Sequence, residues 1–247
     1  MQRILDIFTS KDFNPQVHVS RLEGLNASAR SLYVASLFRT HHLKVLFILN
    51  DQETASYAYN DLAMLLDRTE MAILPSAFRK SPRHGETDIA QQILRTDAQN
   101  LMTTADSWLV MTSPAGIAEM VASQQQIERQ RIMIAKGDRI SQQTITTQLE
   151  KYHFEEVEFV YQPGQYSLRG SIIDVFSYTN ERPYRIDFFG DEVESIRTFD
   201  IERQLSLDKT DAITILPDIS ADQTQKAKMV TLPKFIPEDT LLVYENY

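Results

Sequence analysis

The chain of 247 residues is 43% hydrophobic and 24% charged, and its 34 acidic and 25 basic side chains give a formal net charge of −9. This composition is typical of a soluble globular protein, and the acidic balance argues against independent nucleic-acid binding, which usually depends on a basic surface. Because the sequence contains no cysteine, disulfide frameworks and thiolate metal sites are excluded.

Apolar runs in the sequence are too short to cross a membrane. The run at residues 45–49 is an example, since a helical span needs about 20 apolar residues. The first residues lack the pattern of a signal peptide. We therefore expect a cytoplasmic protein without membrane contact.

The first 125 residues alternate short apolar strands with helices. After short helices within residues 1–19, longer helices are predicted at about 27–39, 52–66 and 87–98, and strands at 44–49, 71–74 and 108–112. A further short helix begins at Pro114, whose missing N–H is tolerated in the first turn of a helix. Such alternation predicts a parallel sheet with helices on both faces.

The pattern changes after residue 126 to that of an inserted α+β domain. A strand at 131–135 and a turn at 136–138 precede a helix that Ser141 caps, and a meander is predicted to begin at 157–161. Strands follow at 212–217 and 240–244, and the last one is expected to complete the first sheet of a chain that belongs to a longer protein. The predicted domains are 1–125 (α/β), 126–210 (α+β) and 211–247 (a return segment to the first domain).

The meander is predicted to contain strands at 166–176, 184–189 and 193–199, with a tight turn at Gly190-Asp191 between the last two. Side chains two residues apart share a face of a strand. On the second strand, one face therefore carries three core residues, Tyr184, Ile186 and Phe188. The other face carries three residues of a different kind, Arg185, Asp187 and Phe189. Arginine beside an exposed aromatic residue is typical of a protein-binding surface.

One loop stands where an α/β domain of this kind would hold phosphate. A working P-loop reads G-x-x-x-x-G-K-[ST]. Here Gly24 and Ser31 are in register, whereas Ala29 replaces the second glycine and Arg30 replaces the lysine. The methyl group of Ala29 crowds a tight backbone, and the fork of Arg30 stands where a compact ammonium is required. We interpret the loop as a degenerate nucleotide site that does not bind nucleotide; the alternative is a simple loop entering a helix.

No motif in the sequence predicts catalysis. His41 and His42 adjoin the start of a strand and the other three histidines are isolated, without carboxylates at metal-ligand spacing. Neither a nucleophile elbow nor a Gly-rich dinucleotide fingerprint is present. The basic loop with Arg79, Lys80 and Arg83 is interpreted as a solvated loop rather than a phosphate contact.

Three segments, at residues 166–176, 183–200 and 136–138, resemble the excision-repair homology module of the bacterial transcription-repair coupling factors (Mfd). They are similar, but more distantly, to the related module of UvrB, the damage-verification protein of nucleotide excision repair. The resemblance is strongest from about 131 to 217 and covers nearly the whole chain. It implies a helicase-like (RecA/P-loop-type) α/β domain without a functional nucleotide site, with an inserted domain that carries an antiparallel meander.

For function, the resemblance implies a non-catalytic module that recruits the repair ATPase UvrA through the inserted domain. Carried over by position, the UvrA contacts are Arg169, Arg185 and Phe189, which we expect to meet acidic or carbonyl groups and an apolar pocket. The alternative is a cross-strand Arg–Asp pair with a partly exposed phenylalanine. No cofactor is expected in these residues; ATP and magnesium belong to the motor domains of the family, and RNA polymerase and DNA to its other domains.

Two other functions remain open from the sequence. One is a lobe of an ATP-dependent DNA translocase, which requires ATP binding that depends on Arg30 and Ser31. The other is a UvrB-like damage sensor, which requires DNA contacts from the basic loop. UvrB has an intact P-loop and a long tyrosine-rich hairpin, whereas residues 75–87 here are short and contain no tyrosine. These departures favour the coupling factor.

Overall fold

A computed structural model describes residues 21, 23–25, 28–76, 89–180, 182–219 and 229–245. The helices predicted within residues 1–19 and the basic loop of Arg79 lie outside these ranges. The chain divides into two compact units, the first drawn from 1–77, 101–120 and 230–247 and the second from 78–100 and 121–229.

Regular elements agree with most of the predicted ones. The helices are α1 (Ser28–His41), α2 (Gln52–Leu62), α3 (Ile89–Thr104), α4 (Pro114–Ala118), α5 (Gln124–Gln130), α6 (Gln142–Lys151) and α7 (Leu232–Phe235), with a 3-10 turn at Arg68–Glu70. The strands are β1 (Lys44–Ile48), β2 (Met71–Leu74), β3 (Trp108–Thr112), β4 (Val121–Ala122), β5 (Ile132–Ala135), β6 (Glu155–Glu156), β7 (Gln165–Arg169), β8 (Ile172–Val175), β9 (Tyr184–Phe189), β10 (Glu192–Phe199), β11 (Ser206–Thr210), β12 (Ala212–Ile215), β13 (Met229–Val230) and β14 (Leu241–Tyr244).

The first unit is built on a parallel sheet of four strands in the order β14-β1-β3-β2. Every residue of β2 and β3 is buried, as expected for strands covered on both faces. Helices α1 and α2 contribute Phe38 and Leu62 to the core against Phe47 and Met111 of the sheet. The prediction that the last strand completes the first sheet is confirmed, because β14 pairs with β1 in parallel.

The second unit is built on a six-stranded sheet in the order β11-β10-β9-β8-β7-β6, antiparallel except for the β6–β7 pair. Helix α6 packs on its core face through Ile145 and Leu149. The predicted cap of this helix is confirmed, since the Ser141 hydroxyl accepts from the Thr144 N–H at 3.2 Å. An antiparallel ribbon of β5 and β12 adds four buried isoleucines to the same core, Ile132, Ile134, Ile213 and Ile215.

The predicted strand at 166–176 is wrong, because it is a hairpin of β7 and β8. Arg169 pairs with Ile172 across the two-residue turn Gly170-Ser171, where Gly170 has φ of +60°. A glycine adopts this left-handed conformation without steric cost, which allows the chain to reverse there. The predicted turn at Gly190-Asp191 is confirmed by the pairing of Phe189 with Glu192.

Two further predictions differ from the structure. Residues 157–161 are not a strand; the paired residues are those of β6, while Val160 packs with Phe176 and Phe199 in a separate small cluster. Strand β12 was assigned to the return segment 211–247, but it pairs with β5 inside the second unit. Otherwise the domain boundaries at 125/126 and 210/211 stay predictions.

Candidate functional site

The face of the meander sheet that is opposite to its core carries a row of polar side chains. Strand register aligns one residue from each of four neighbouring strands in this row, namely Ser167, Asp174, Arg185 and Arg197. On β9 the predicted alternation is confirmed, because Ile186 and Phe188 are buried while Phe189 is 80% exposed.

Asp174 lies at the centre of this face and is fully buried. Its carboxylate accepts from Arg185 Nε at 2.7 Å and from Arg185 Nη2 at 2.8 Å. Arg169 Nη2 donates to the same carboxylate from the other side. The hydrogen bond to Asp174 raises the pKa of Arg185 against the opposing effect of burial. The structure therefore brings Arg169 and Arg185 together through a carboxylate that the predicted site did not include.

Each of the two arginines also covers an aromatic ring. The guanidinium carbon of Arg169 lies 5.1 Å from the ring centre of Phe159, and that of Arg185 lies 4.6 Å from Phe199. Such cation–π contacts favour the observed positions of the two guanidinium groups. The two side chains differ in access to solvent, with 37% of Arg169 but only 14% of Arg185 exposed.

Arg185 is held by a third contact as well. Its Nη1 donates to the carbonyl oxygen of Gln204 at 3.2 Å. Gln204 stands in the left-handed region with φ of +56°, in the turn that leads from β10 to β11. Arg185 is therefore held by three contacts, with Asp174 on the neighbouring strand, with the β10–β11 turn and with the ring of Phe199. Arg169 is the more accessible donor.

A second carboxylate on the same face holds a separate set of partners. Asp187 accepts from the Ser195 hydroxyl at 2.7 Å and pairs with Arg197 on β10. Sequence reasoning placed Asp187 on this face but missed Arg197. Arg197 comes opposite Arg185 because the register of the β9–β10 pair shifts between Val193 and Ser195, which a count from the predicted turn does not reveal.

Phe189 lies at the end of β9, on the same face as Arg185 four residues earlier. All three predicted contact residues, Arg169, Arg185 and Phe189, thus lie on one face. In the chain by itself the two arginines form the cross-strand Arg–Asp arrangement, and their pairing with groups of a partner stays a prediction.

The four residues of the predicted degenerate loop lie before α1 and in its first turn. Gly24 has φ of +82°, and Ala29, Arg30 and Ser31 lie in the first turn of the helix. Arg30 forms an ion pair with Glu245, the residue directly after β14. The Glu245 N–H donates to the Ile48 carbonyl oxygen at 3.2 Å. Arg30 is therefore paired with a carboxylate at the carboxyl edge of the parallel sheet.

Within the described ranges, no group of three or more histidine, aspartate or glutamate side chains is arranged to hold a metal ion. None of the described helices combines the length and the apolar character that a membrane span requires.

Comparison with known proteins agrees with the resemblance inferred from the sequence. Residues 132–220 match the family model of the UvrB interaction domain, a range that contains the whole polar face. The chain is 28% identical over 196 residues to the transcription-repair-coupling factor of Bacillus subtilis and 29% identical over 199 residues to that of Escherichia coli. These alignments cover 79% and 78% of this chain but only 17% of each relative.

A third relative is more similar over a shorter stretch. The transcription-repair-coupling factor of Haemophilus influenzae is 40% identical over 93 residues, which is 38% of this chain and 8% of that protein. The predicted resemblance to these factors and to the UvrB-related module is confirmed, and the chain spans about one sixth of the length of the first two relatives.

Proposed function

We propose that this chain is a recruitment module of a transcription-repair-coupling factor, because its residues 132–220 match the UvrB interaction domain and its relatives over most of its length are such factors. It binds the excision-repair protein UvrA through the polar face of the meander sheet. One observation carries the proposal: two arginines preset around Asp174 share a face with a phenylalanine that is 80% exposed.

The chemistry of this face suits a protein partner. Transfer of an exposed phenylalanine side chain into an apolar pocket contributes about 1.5–3 kcal/mol. Arginine and aromatic residues dominate the binding energy of protein interfaces, and truncation of such an anchor commonly costs about 2 kcal/mol or more. Three arginines (Arg169, Arg185 and Arg197) meet two carboxylates on this face, so it is locally basic on an acidic chain.

The module is non-catalytic in this proposal, and the first unit is a helicase-like domain whose loop no longer holds nucleotide. Two observations support this second part, the four-stranded parallel sheet and the ion pair of Arg30 with Glu245. A carboxylate beside the position of the phosphates repels them. If the alternative of an ATP-dependent lobe were correct, the chain would bind ATP saturably and lose that binding on substitution of Arg30.

In the longer protein, the module links a stalled RNA polymerase to nucleotide excision repair. RNA polymerase, DNA, ATP and magnesium are partners of other domains in this proposal, and the location is cytoplasmic. This part of the proposal rests on the similarity to the coupling factors, and none of it assigns a function to a particular residue of this chain.

Calorimetric titration of the chain with UvrA of the same organism tests the proposal. We expect saturable binding by the wild-type chain and a loss of about 30-fold or more for Phe189→Ala. Met133→Ala is a matched control, because Met133 is also apolar and 71% exposed but lies on the β5–β12 ribbon of the same unit. Equal affinities of the Phe189 variant and the wild type would refute the proposed face.

A further inference from the structure

We propose that Asp174 is a positioning residue for partner docking, which holds Arg169 in the orientation in which a carboxylate or carbonyl group of the partner accepts from it. This inference rests on the proposed function. It assigns a role to a residue that is fully buried and therefore out of reach of the partner itself.

Strand register explains why Asp174 can act on both arginines. It stands directly opposite Arg185 on β9, and opposite Ser167 on β7, two residues before Arg169 on the same face. A carboxylate has two oxygens, and both are used: Oδ1 accepts from Arg185, and Oδ2 accepts from Arg185 and Arg169. The buried carboxylate is thus a shared anchor between strands.

The negative charge of Asp174 also reduces the repulsion between Arg169 and Arg185. Two guanidinium groups close together repel each other, and the repulsion is stronger where solvent is partly excluded. The negative charge of Asp174 compensates one of the two positive charges, so that Arg169 and Arg185 together with Asp174 carry a net charge of about +1 at neutral pH. Asparagine keeps the shape of the side chain but not its charge, and the two arginines would then move apart.

The two arginines differ in how many of their N–H groups donate to acceptors of their own chain. Arg185 donates from Nε, Nη1 and Nη2 to groups of its own chain and is only 14% exposed. Arg169 donates only from Nη2, and its Nε and Nη1 have no acceptor among the described residues. Each of these N–H groups can donate a charge-assisted hydrogen bond to an oxygen acceptor of a partner. Arg169 is therefore the donor presented to the partner, while Asp174 and Arg185 hold it in place.

The test compares two conservative substitutions of aspartate in the second unit. Asp174→Asn is expected to weaken binding of UvrA about tenfold or more. Asp138→Asn, in the turn after β5, where the carboxylate accepts from the Ala135 N–H and lies outside the polar face, is expected to change binding less than about threefold. In the Arg169→Ala/Arg185→Ala background, Asp174→Asn should have no further effect. An equal loss in both backgrounds would show a general structural role and overturn the proposal.

A second measurement does not need the partner. In the wild-type chain, the Nε–H of Arg185 bonds to a buried carboxylate, so NMR should show it exchanging with water far more slowly than the Nε–H of the exposed Arg203. Asp174→Asn should abolish this difference and broaden the Arg169 signal. If Arg185 exchanges as fast as Arg203 in the wild type, the positioning role is refuted even where the variant fails to fold. If the NMR result is as expected but the wild type does not bind UvrA, the partner assignment fails and the internal anchor stands.

Discussion

Two adjacent phenylalanines of β9 lie on opposite faces of the sheet, and we expect one to stabilise the fold and the other to bind the partner. Phe188 is 4% exposed and belongs to the core of the second unit, whereas Phe189 is 80% exposed on the opposite face. Truncation of a buried phenylalanine to alanine costs about 3–5 kcal/mol, because transfer energy is lost and a cavity remains. A substitution at an exposed position away from special features changes stability by about 0.5 kcal/mol or less.

We therefore expect Phe188→Ala to lower the free energy of unfolding of the second unit by about 3–5 kcal/mol and Phe189→Ala to leave it within about 0.5 kcal/mol. Urea denaturation followed by circular dichroism measures the change, and amide hydrogen exchange along β8 and β9 assigns it to this sheet. A loss of stability in Phe189→Ala similar to that of Phe188→Ala would contradict the assignment of Phe189 to a docking face.

Three further predictions concern other parts of the chain. Gly116→Ala should destabilise the first unit by about 1–3 kcal/mol, because its Cβ would lie 2.6 Å from the carbonyl oxygen of Leu74; an unchanged urea midpoint would contradict this packing. A double-mutant cycle of Arg30→Ala and Glu245→Ala should give a coupling energy of about 1–2 kcal/mol, and strictly additive losses would mean that the pair contributes nothing. Burial, and after it the charges of two glutamates, raise the pKa of Tyr166 to about 12 in the folded chain. The stabilisation from its protonated phenol is therefore complete below about pH 10 and is lost as the pH rises through about 12, so Tyr166→Phe should flatten the fall in stability over this range, and an unaltered pH profile would argue against the raised value.

Local patterns predicted much of the fold. The fully buried strands β2 and β3 match their predicted bounds, because parallel strands that are covered on both faces are short, nearly continuous apolar runs. Capping residues such as Ser141 were also predicted, since the hydroxyl that satisfies the first N–H groups of a helix is a local signal. These features depend on residues only a few positions apart.

The parts that sequence reasoning missed depend on pairings between distant residues. Reading 166–176 as one strand overlooked the turn at Gly170-Ser171, although glycine followed by serine between apolar runs is a known hairpin signal. Without that turn, Asp174 has no assigned neighbour, and its role between Arg169 and Arg185 could not be derived. Strand register determines which side chains lie beside a carboxylate, and the alternation along a single strand does not reveal that register.

The ion pair between Arg30 and Glu245 was missed for the same reason. The two residues are far apart in the sequence and meet only because β14 returns to pair with β1. The sequence indicated that Arg30 is unsuited to phosphate, and the structure adds the carboxylate with which it pairs instead. The residue type at position 30 can be read from the sequence alone, whereas the partner with which Arg30 pairs depends on the topology of the sheet.

The central claim is that the face around Asp174 recruits UvrA. Its most direct test is calorimetric titration of UvrA with the wild-type chain and with an Arg169→Ala/Arg185→Ala double variant whose fold is verified by circular dichroism. We predict saturable binding by the wild type and at least about a 100-fold loss in the double variant. Undiminished binding by the folded double variant, or no binding by the wild type, would contradict the claim.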